Sequence, residues 1–447
     1  MRTRKTALAL LAGIALIGAA CGGDDSSTDT DAPSTDAPST DAPSTDAPST
    51  DAPSTDAPTT TEAPLPERGD ADLVIWADDT RVPILTPIAE EFGAAEGLKV
   101  VVQEVPSQRI RDNVSTAGPA GEGPDIYVGA HDWLGELVAN GAVAPLELGA
   151  AADEYLDVAI NAFTYEGQIY GLPYAIENIA LIRNTDLVPE APATWAELEE
   201  IALGLVESGD ADIPLAVQGT PDASPYHFMP LFTGSGGYLF GTTDAGFDTS
   251  DVGLDSEGGI TAAQNIAGWF ESGLLSKDID YGVMIDSFGS GRAPFALTGP
   301  WAVAQADNGF EAMGVPFVVE PVPPIEEGIT PQVFVGVQGF MLSPYSENAD
   351  LAKTFVLDYL NSEELQLALY EVGARPPAMA SAFEQVADDP IVAGFGAAGE
   401  AGMPMPAFPV MSFVFTTWGD AYQLIASGTD PEQAMTDAAT AIRAEIG

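Results

Sequence analysis

Between residues 73 and 140, short apolar runs alternate with segments that start and stop like helices, and this alternation restricts the fold more than any other feature of the chain. Leu73-Val74-Ile75-Trp76 is a run fit for a buried strand. Thr86 then reads as an N-cap with Pro87 at the first helical position. Glu90 and Glu91 follow in the first turn, where the helix dipole favours acids, and Gly97 is the stop. Residues 98 to 105 read as a second strand, residues 124 to 128 as a third, and a helix runs from about Asp132 to Asn140-Gly141. Strands alternating with helices predict an α/β fold whose largely parallel sheet carries helices on both faces. The pattern continues further along. Thr194-Trp195-Ala196-Glu197 fits a capping box that opens a helix running to Gly209. Residues 213 to 217 are again a strand, residues 255 to 273 a helix, and residues 294 to 297 a strand that ends at Gly299-Pro300-Trp301.

The first 70 residues stand outside this pattern. Arg2, Arg4 and Lys5 precede the apolar run Ala7 to Ala20 and then Cys21, which makes residues 1 to 21 a signal peptide. That run is shorter than the roughly 20 residues a spanning helix needs. Gly18-Ala19-Ala20-Cys21 resembles the lipobox of bacterial lipoproteins, with Gly18 where leucine is usual, and implies lipidation of Cys21. The alternative is a plain secreted protein. Residues 22 to 70 are a linker in which Asp-Ala-Pro-Ser-Thr recurs at a period of five from Asp31 to Asp56. Proline in each unit, self-repelling carboxylates and the lack of large apolar side chains make it an extended, solvated tether. A lipidated chain of this kind is extracytoplasmic, anchored to the outer face of the cell membrane without spanning it.

The 14 Lys and Arg stand against 68 Asp and Glu, a formal net charge of −54. Such a chain repels a phosphate backbone unless it carries a basic stripe, and none is visible, so nucleic acid is not a partner. Most of the acidity falls beyond the tether and reads as a solvated surface. With Cys21, His131 and His227 as its complete set of Cys and His, the chain forms no internal disulfide, and a Cys/His zinc site would need carboxylates to complete it. No metal or cofactor is called for.

Ligands on α/β sheets bind outside the carboxyl ends of strands. That rule selects Ala77 to Arg81, Ala130 to Trp133 and Thr298 to Trp301. The first loop holds Asp78, Asp79 and Arg81, the second His131, Asp132 and Trp133, the third Trp301. Carboxylates and guanidinium groups pair with neighbouring hydroxyls while an indole covers the apolar C–H face of a pyranose, so the combination suits carbohydrate.

Together with Gly123-Pro124-Asp125-Ile126, Gly171-Leu172-Pro173-Tyr174 followed by Glu177, Phe334-Val335-Gly336-Val337 and Met411-Ser412, these segments resemble, in order over residues 71 to 445, the maltose/maltodextrin-binding proteins of bacterial ABC importers. The resemblance implies a two-lobed periplasmic-binding-protein fold, each lobe a mixed or mostly parallel sheet flanked by helices, closing on sugar about a hinge. It implies an N-terminal lobe from residues 71–177 and 338–376 and a C-terminal lobe from 178–337 and 377–447. By position it makes Asp132 and Glu177 hydrogen-bonding carboxylates, Tyr226 and Trp301 stacking aromatics, and Phe415 the counterpart of a further stacking tryptophan. Arg81 stands for a basic residue of the family, with Asp79 displaced by one from the family's acid. Trp133 replaces a basic residue, and Gly129 stands where the best-known members have an aromatic. The implied function is a substrate-binding lipoprotein that delivers a maltodextrin-like oligosaccharide to permease transmembrane subunits, without catalysis. Two alternatives remain at this stage. One is a secreted glycoside hydrolase using Asp132 and Glu177, which needs the two carboxyls about 5 to 9 Å apart. The other is a surface carbohydrate-binding protein with no role in transport.

Overall fold

In a computed structural model, residues 64–220, 224–243, 246–304 and 309–447 are described. The leader, Cys21 and the five-residue repeat lie outside the described residues. Ten strands among the described residues build the two larger sheets: β1 (Leu73–Ala77), β2 (Val100–Glu104), β3 (Ile126–Ala130), β4 (Leu172–Glu177), β5 (Ala180–Asn184), β6 (Leu215–Ala216), β7 (Phe295–Thr298), β8 (Phe317–Glu320), β9 (Phe334–Leu342) and β10 (Met403–Pro404). The helices that matter for the site are α1 (Val82–Glu96), α2 (Ser107–Ala117), α3 (Leu134–Ala139), α4 (Trp195–Ser208), α5 (Glu257–Ser272), α6 (Glu363–Gly373) and α7 (Met411–Ala426).

The first sheet has the order β10-β9-β3-β1-β2, with β4 also paired to β9. The β1–β2 and β1–β3 pairs are parallel, as the strand–helix alternation requires, whereas β9 runs antiparallel to β3 and to β4. The second sheet, β8-β5-β7-β6, is mixed, with β5 antiparallel to both neighbours and β6 parallel to β7. Alternation along its strands puts Leu181, Phe295 and Leu297 in one core and Ala180, Ile182 and Ala296 in another, on its opposite faces. The first sheet has a core of its own, built on β1, β3 and the end of β9. Two lobes result.

The chain passes between the two lobes several times. Ala175 belongs to the first core and Ile179 to the second; Phe334 belongs to the second and Val337 to the first; Ala374 touches the second lobe before Ala378 and Ala382 pack again on the first, and Phe395 returns to the second. The chain ahead of β1 is also fixed. Leu65 packs on the first core, and Arg68 pairs with the fully buried Asp125 at 2.7 Å.

Local signals translate with some shifts. Thr194 caps α4 by accepting from Glu197 N at 3.2 Å, while Glu197 accepts from Ala193 N at 2.8 Å; Gly209 ends the helix in the left-handed region. Helix α5 starts one residue beyond Asp255, at a cap made by Ser256, and stops at Gly273 as expected. The start of α1 needs correcting. It begins at Val82, with Pro83 in the first turn, so Thr86 is not its cap and Pro87 lies inside the helix. A proline costs least in the first turn, where its missing N–H has no partner to lose, and Pro83 takes that position first. The hydroxyl of Thr86 instead donates to Val82 O at 2.7 Å. Among the described residues no helix is long and apolar enough to cross a membrane.

Candidate functional site

Four loops that leave strand ends converge between the two lobes and enclose a cavity of about 670 Å³. Asp79, Arg81, Asp132, Trp133, Glu177, Tyr226, Trp301 and Phe415, all anticipated from the sequence, line this one space. The ends of β1, β3, β4 and β7 all open onto this cavity.

After β1, the roles within the loop differ from expectation. Arg81 is buried and its guanidinium pairs with Asp78, donates to the Tyr174 hydroxyl and lies 5.3 Å from the centre of the Tyr174 ring. Burial pushes the Asp78 carboxyl up, but Arg81, Arg375 and the Thr80 hydroxyl outweigh burial and hold it below its ordinary value. Asp78, beside the anticipated Asp79, is therefore the structural acid of the loop. Asp79 is exposed at the rim and accepts from Thr80 N at 2.9 Å.

After β3, a single 3-10 turn carries His131, Asp132 and Trp133. His131 does not line the cavity. Its Nδ1 accepts from Val337 N at 3.1 Å and its Nε2 lies 3.0 Å from Met405 O, so the neutral ring is a buried tie between segments. Burial lowers its pKa to about 4. Asp132 is the chemically unusual group. Its Oδ1 is buried without a hydrogen-bond partner, and burial, opposed by Arg111, raises its pKa to about 7. The Tyr226 hydroxyl is likewise buried without a partner. Buried polar atoms left unpaired are costly, and both of these residues line the cavity.

Aromatic rings form the wall contributed by the second lobe. Trp301 follows β7 and rests on Gly299, where a Cβ would come within 2.0 Å of the indole. Tyr226 lies 6.1 Å from Trp301, tilted by 35°, and His227 lies 6.2 Å from it edge-on. Phe415, on α7, is partly buried and packs 6.3 Å from Phe334. On the first lobe, Trp133 is nearly buried at the head of α3. Flat rings on both sides of a cleft with acidic and hydroxyl groups between them can grip a polyhydroxylated ring by its faces and its edge at once.

Sequence reasoning missed Gln218, Gln338 and Arg375, which also line the cavity. Gln338 lies in mid-strand, and Arg375 follows a helix in a stretch without strand signals, so neither falls at a strand end where the loop rule looks.

Comparison with known proteins agrees with this geometry. Residues 87–394 match the family described as bacterial extracellular solute-binding protein. The chain is 28% identical over 399 residues to the galactooligosaccharide-binding protein of Bacillus subtilis (strain 168), a match that spans 84% of this chain and 90% of that one. It is 25% identical over 387 residues to the maltooligosaccharide ABC transporter solute-binding lipoprotein of Streptococcus pneumoniae serotype 4, spanning 84% and 89%. Among solved structures, the Thermus thermophilus maltotriose binding protein bound with maltotriose matches with a TM-score of 0.75 at 30% identity, over 84% of this chain and 100% of that chain. With two lobes about one cleft and more than half of its length matched, the chain belongs to the bacterial extracellular solute-binding protein family.

Proposed function

We propose that this protein captures an oligosaccharide, of the maltooligosaccharide class in the first instance, and presents it to the transmembrane subunits of an ABC importer. One observation carries the reading: Trp133, Trp301, Tyr226 and Phe415 surround the same cleft as the unpartnered Asp132 Oδ1 and Tyr226 hydroxyl. The working lobes are residues 71–177 with 338–376 and residues 178–337 with 377–447, save that Ala378, Met379 and Ala382 pack on the first lobe, and ligand contacts that need both lobes drive closure. Asp79, Arg81, Asp132, Trp133, Glu177, Tyr226, Trp301 and Phe415 are the ligand-facing residues. The relatives named for maltotriose and maltooligosaccharide support this sugar class, and the galactooligosaccharide-binding relative makes a galactooligosaccharide the second candidate.

The chain binds without turnover. Of the pair a hydrolase would use, Asp132 has the raised pKa of an acid, so Glu177 would have to act as nucleophile or base, whereas it has one oxygen on Arg375 at 2.6 Å and the other on Gln338 at 2.8 Å, with neither left free for that role. Lipidation at Cys21 holds the protein at the outer face of the membrane, with the repeat as its tether; a Cys21→Ser variant is then expected in the medium instead of the membrane fraction. The deciding experiment is calorimetric titration with maltose, maltotriose, trehalose, sucrose, cyclodextrin and a galactooligosaccharide, with product analysis after long incubation. Micromolar-class binding of an α-glucan fragment without cleavage is expected. Binding of none of them, or release of shorter sugars, overturns the reading.

A further inference from the structure

Three segments that lie where the chain runs between the lobes meet on one carboxylate. Glu177 ends β4 just before the first passage, Gln338 lies in β9 just after the second, and Arg375 lies between Ala374, which packs on the second lobe, and Ala378, which packs on the first. Gln338 Nε2 donates to Glu177 Oε1 at 2.8 Å and Arg375 Nε donates to Glu177 Oε2 at 2.6 Å. Arg375 reaches further, because its guanidinium carbon lies 5.8 Å from the centre of the Trp301 ring, on the other lobe. Both side chains of the Arg375–Glu177 pair are about nine-tenths buried.

The backbone around Arg375 is fixed on both sides. Ala374 ends α6 in the left-handed region at φ 50°, a conformation in which a side chain is disfavoured and glycine is usual. The methyl group is retained there because it packs in the core of the second lobe, 3% exposed. Immediately afterwards the chain is pinned along β4: Ile176 N donates to Pro376 O at 2.8 Å, and Ala378 N donates to Tyr174 O at 3.0 Å. A strained residue held between such ties is a place where structure is spent on aiming a side chain.

We infer that Arg375 is a positioning residue for sugar binding, which fixes Glu177 of one lobe and Trp301 of the other in a single hydrogen-bonded and cation–π unit at the hinge. This rests on the proposed sugar-binding reading and deepens it. The carboxylate and the indole that would hold the edge and the face of one sugar ring are not set independently; one guanidinium sets both. An arginine suits the task because its planar group can donate to a carboxylate while lying over an aromatic face, which an ammonium does less well. The pair contributes to affinity by presetting geometry that the ligand would otherwise have to impose.

The test combines maltotriose titration with near-ultraviolet circular dichroism of the ligand-free protein. Arg375→Met is expected to weaken maltotriose binding by about tenfold or more. In a Trp301→Ala background the same change should cost less than about threefold, since the unit is already broken. Arg375→Lys should recover part of the loss. Without ligand, the Trp301 signal, isolated as the difference from Trp301→Phe, should change in Arg375→Met. Equal losses in the two backgrounds, wild-type affinity in Arg375→Met, or an unchanged Trp301 signal overturns the inference. If Arg375→Met does not fold, Arg375→Lys decides: wild-type affinity and an unchanged Trp301 signal count against it, and a loss of affinity with a changed signal supports it. Failure of the wild type to bind any sugar of the panel would instead defeat the functional reading, and the ligand-free Trp301 signal would still report whether the unit exists.

Discussion

The indole of Trp133 occupies the space that a side chain at residue 129 would need: a Cβ on Gly129 would lie 2.3 Å from its Cζ3. Read along the sequence, Trp133 and Gly129 are two separate departures from the best-known sugar-binding relatives. In space the two positions are coupled, since the Trp133 ring fills the room a side chain at residue 129 would need. Gly129→Ala should therefore destabilise the fold by about 1–3 kcal/mol, the usual cost of overpacking. It should also weaken maltotriose binding, because the ring must leave its place beside the cleft. Chemical denaturation and calorimetry of the variant check both parts.

Trp301→Ala should weaken maltotriose binding by about 1–3 kcal/mol, the loss expected when a buried aromatic anchor is truncated. The indole sits among Tyr226, His227 and Arg375, so its removal takes away a stacking face and disturbs its neighbours. Unchanged affinity would remove Trp301 from the site.

The parts of the fold legible in the sequence were those written in local chemistry. The capping Thr194 with Glu197, the left-handed stops at Gly97, Gly209 and Gly273, and the apolar run of β1 each act within a few residues. Helix α2 was less visible because it is polar apart from Ile110, Val114 and Ala117, which form its buried stripe. At the site, the residues at strand ends could be found from topology. Arg375 could not, since its role depends on contacts with residues 198 positions away at Glu177 and across the cleft at Trp301. Nor could the division of labour between Asp78 and Asp79, which is decided by which carboxylate faces the buried Arg81.

Two adjacent groups should give the ligand-free protein an uneven pH dependence. Burial lowers the His131 pKa from 6.5 to about 4, so its contribution to stability is present above pH 6.5 and is lost as the pH falls towards 4. Burial raises the Asp132 pKa from 3.8 to about 7, so its contribution is present below pH 3.8 and is lost as the pH rises through 7. Between about pH 4 and 6.5 the two slopes oppose each other. Asp132→Asn removes the falling one. Its stability should climb with pH more steeply than that of the wild type over this window, and at pH 8 it should exceed the wild type, where the latter buries a charge. Denaturation midpoints at pH 4.5, 6 and 8 check this; parallel curves for the two proteins would refute it.

A last prediction concerns how α7 is seated. Helix α3 approaches the segment leading into α7 so closely that a Cβ on Gly135 would lie 2.1 Å from Ala407 O and 2.6 Å from Phe408 C. Alongside this contact, the Ser412 hydroxyl donates to Glu136 at 2.5 Å. The segment continues directly into Met411, Ser412 and Phe415, which line the cleft. Gly135→Ala must push backbone against backbone, and the segment can yield only by carrying the start of α7, with Phe415, away from the ligand. It should weaken maltotriose binding by about tenfold. Ser412→Ala removes one hydrogen bond and leaves the packing in place, so it should weaken binding by no more than about threefold. Calorimetry on the two variants tests the ordering. If Gly135→Ala binds as well as the wild type, or Ser412→Ala is the more damaging of the two, α7 is not held at the cleft by its close packing on α3.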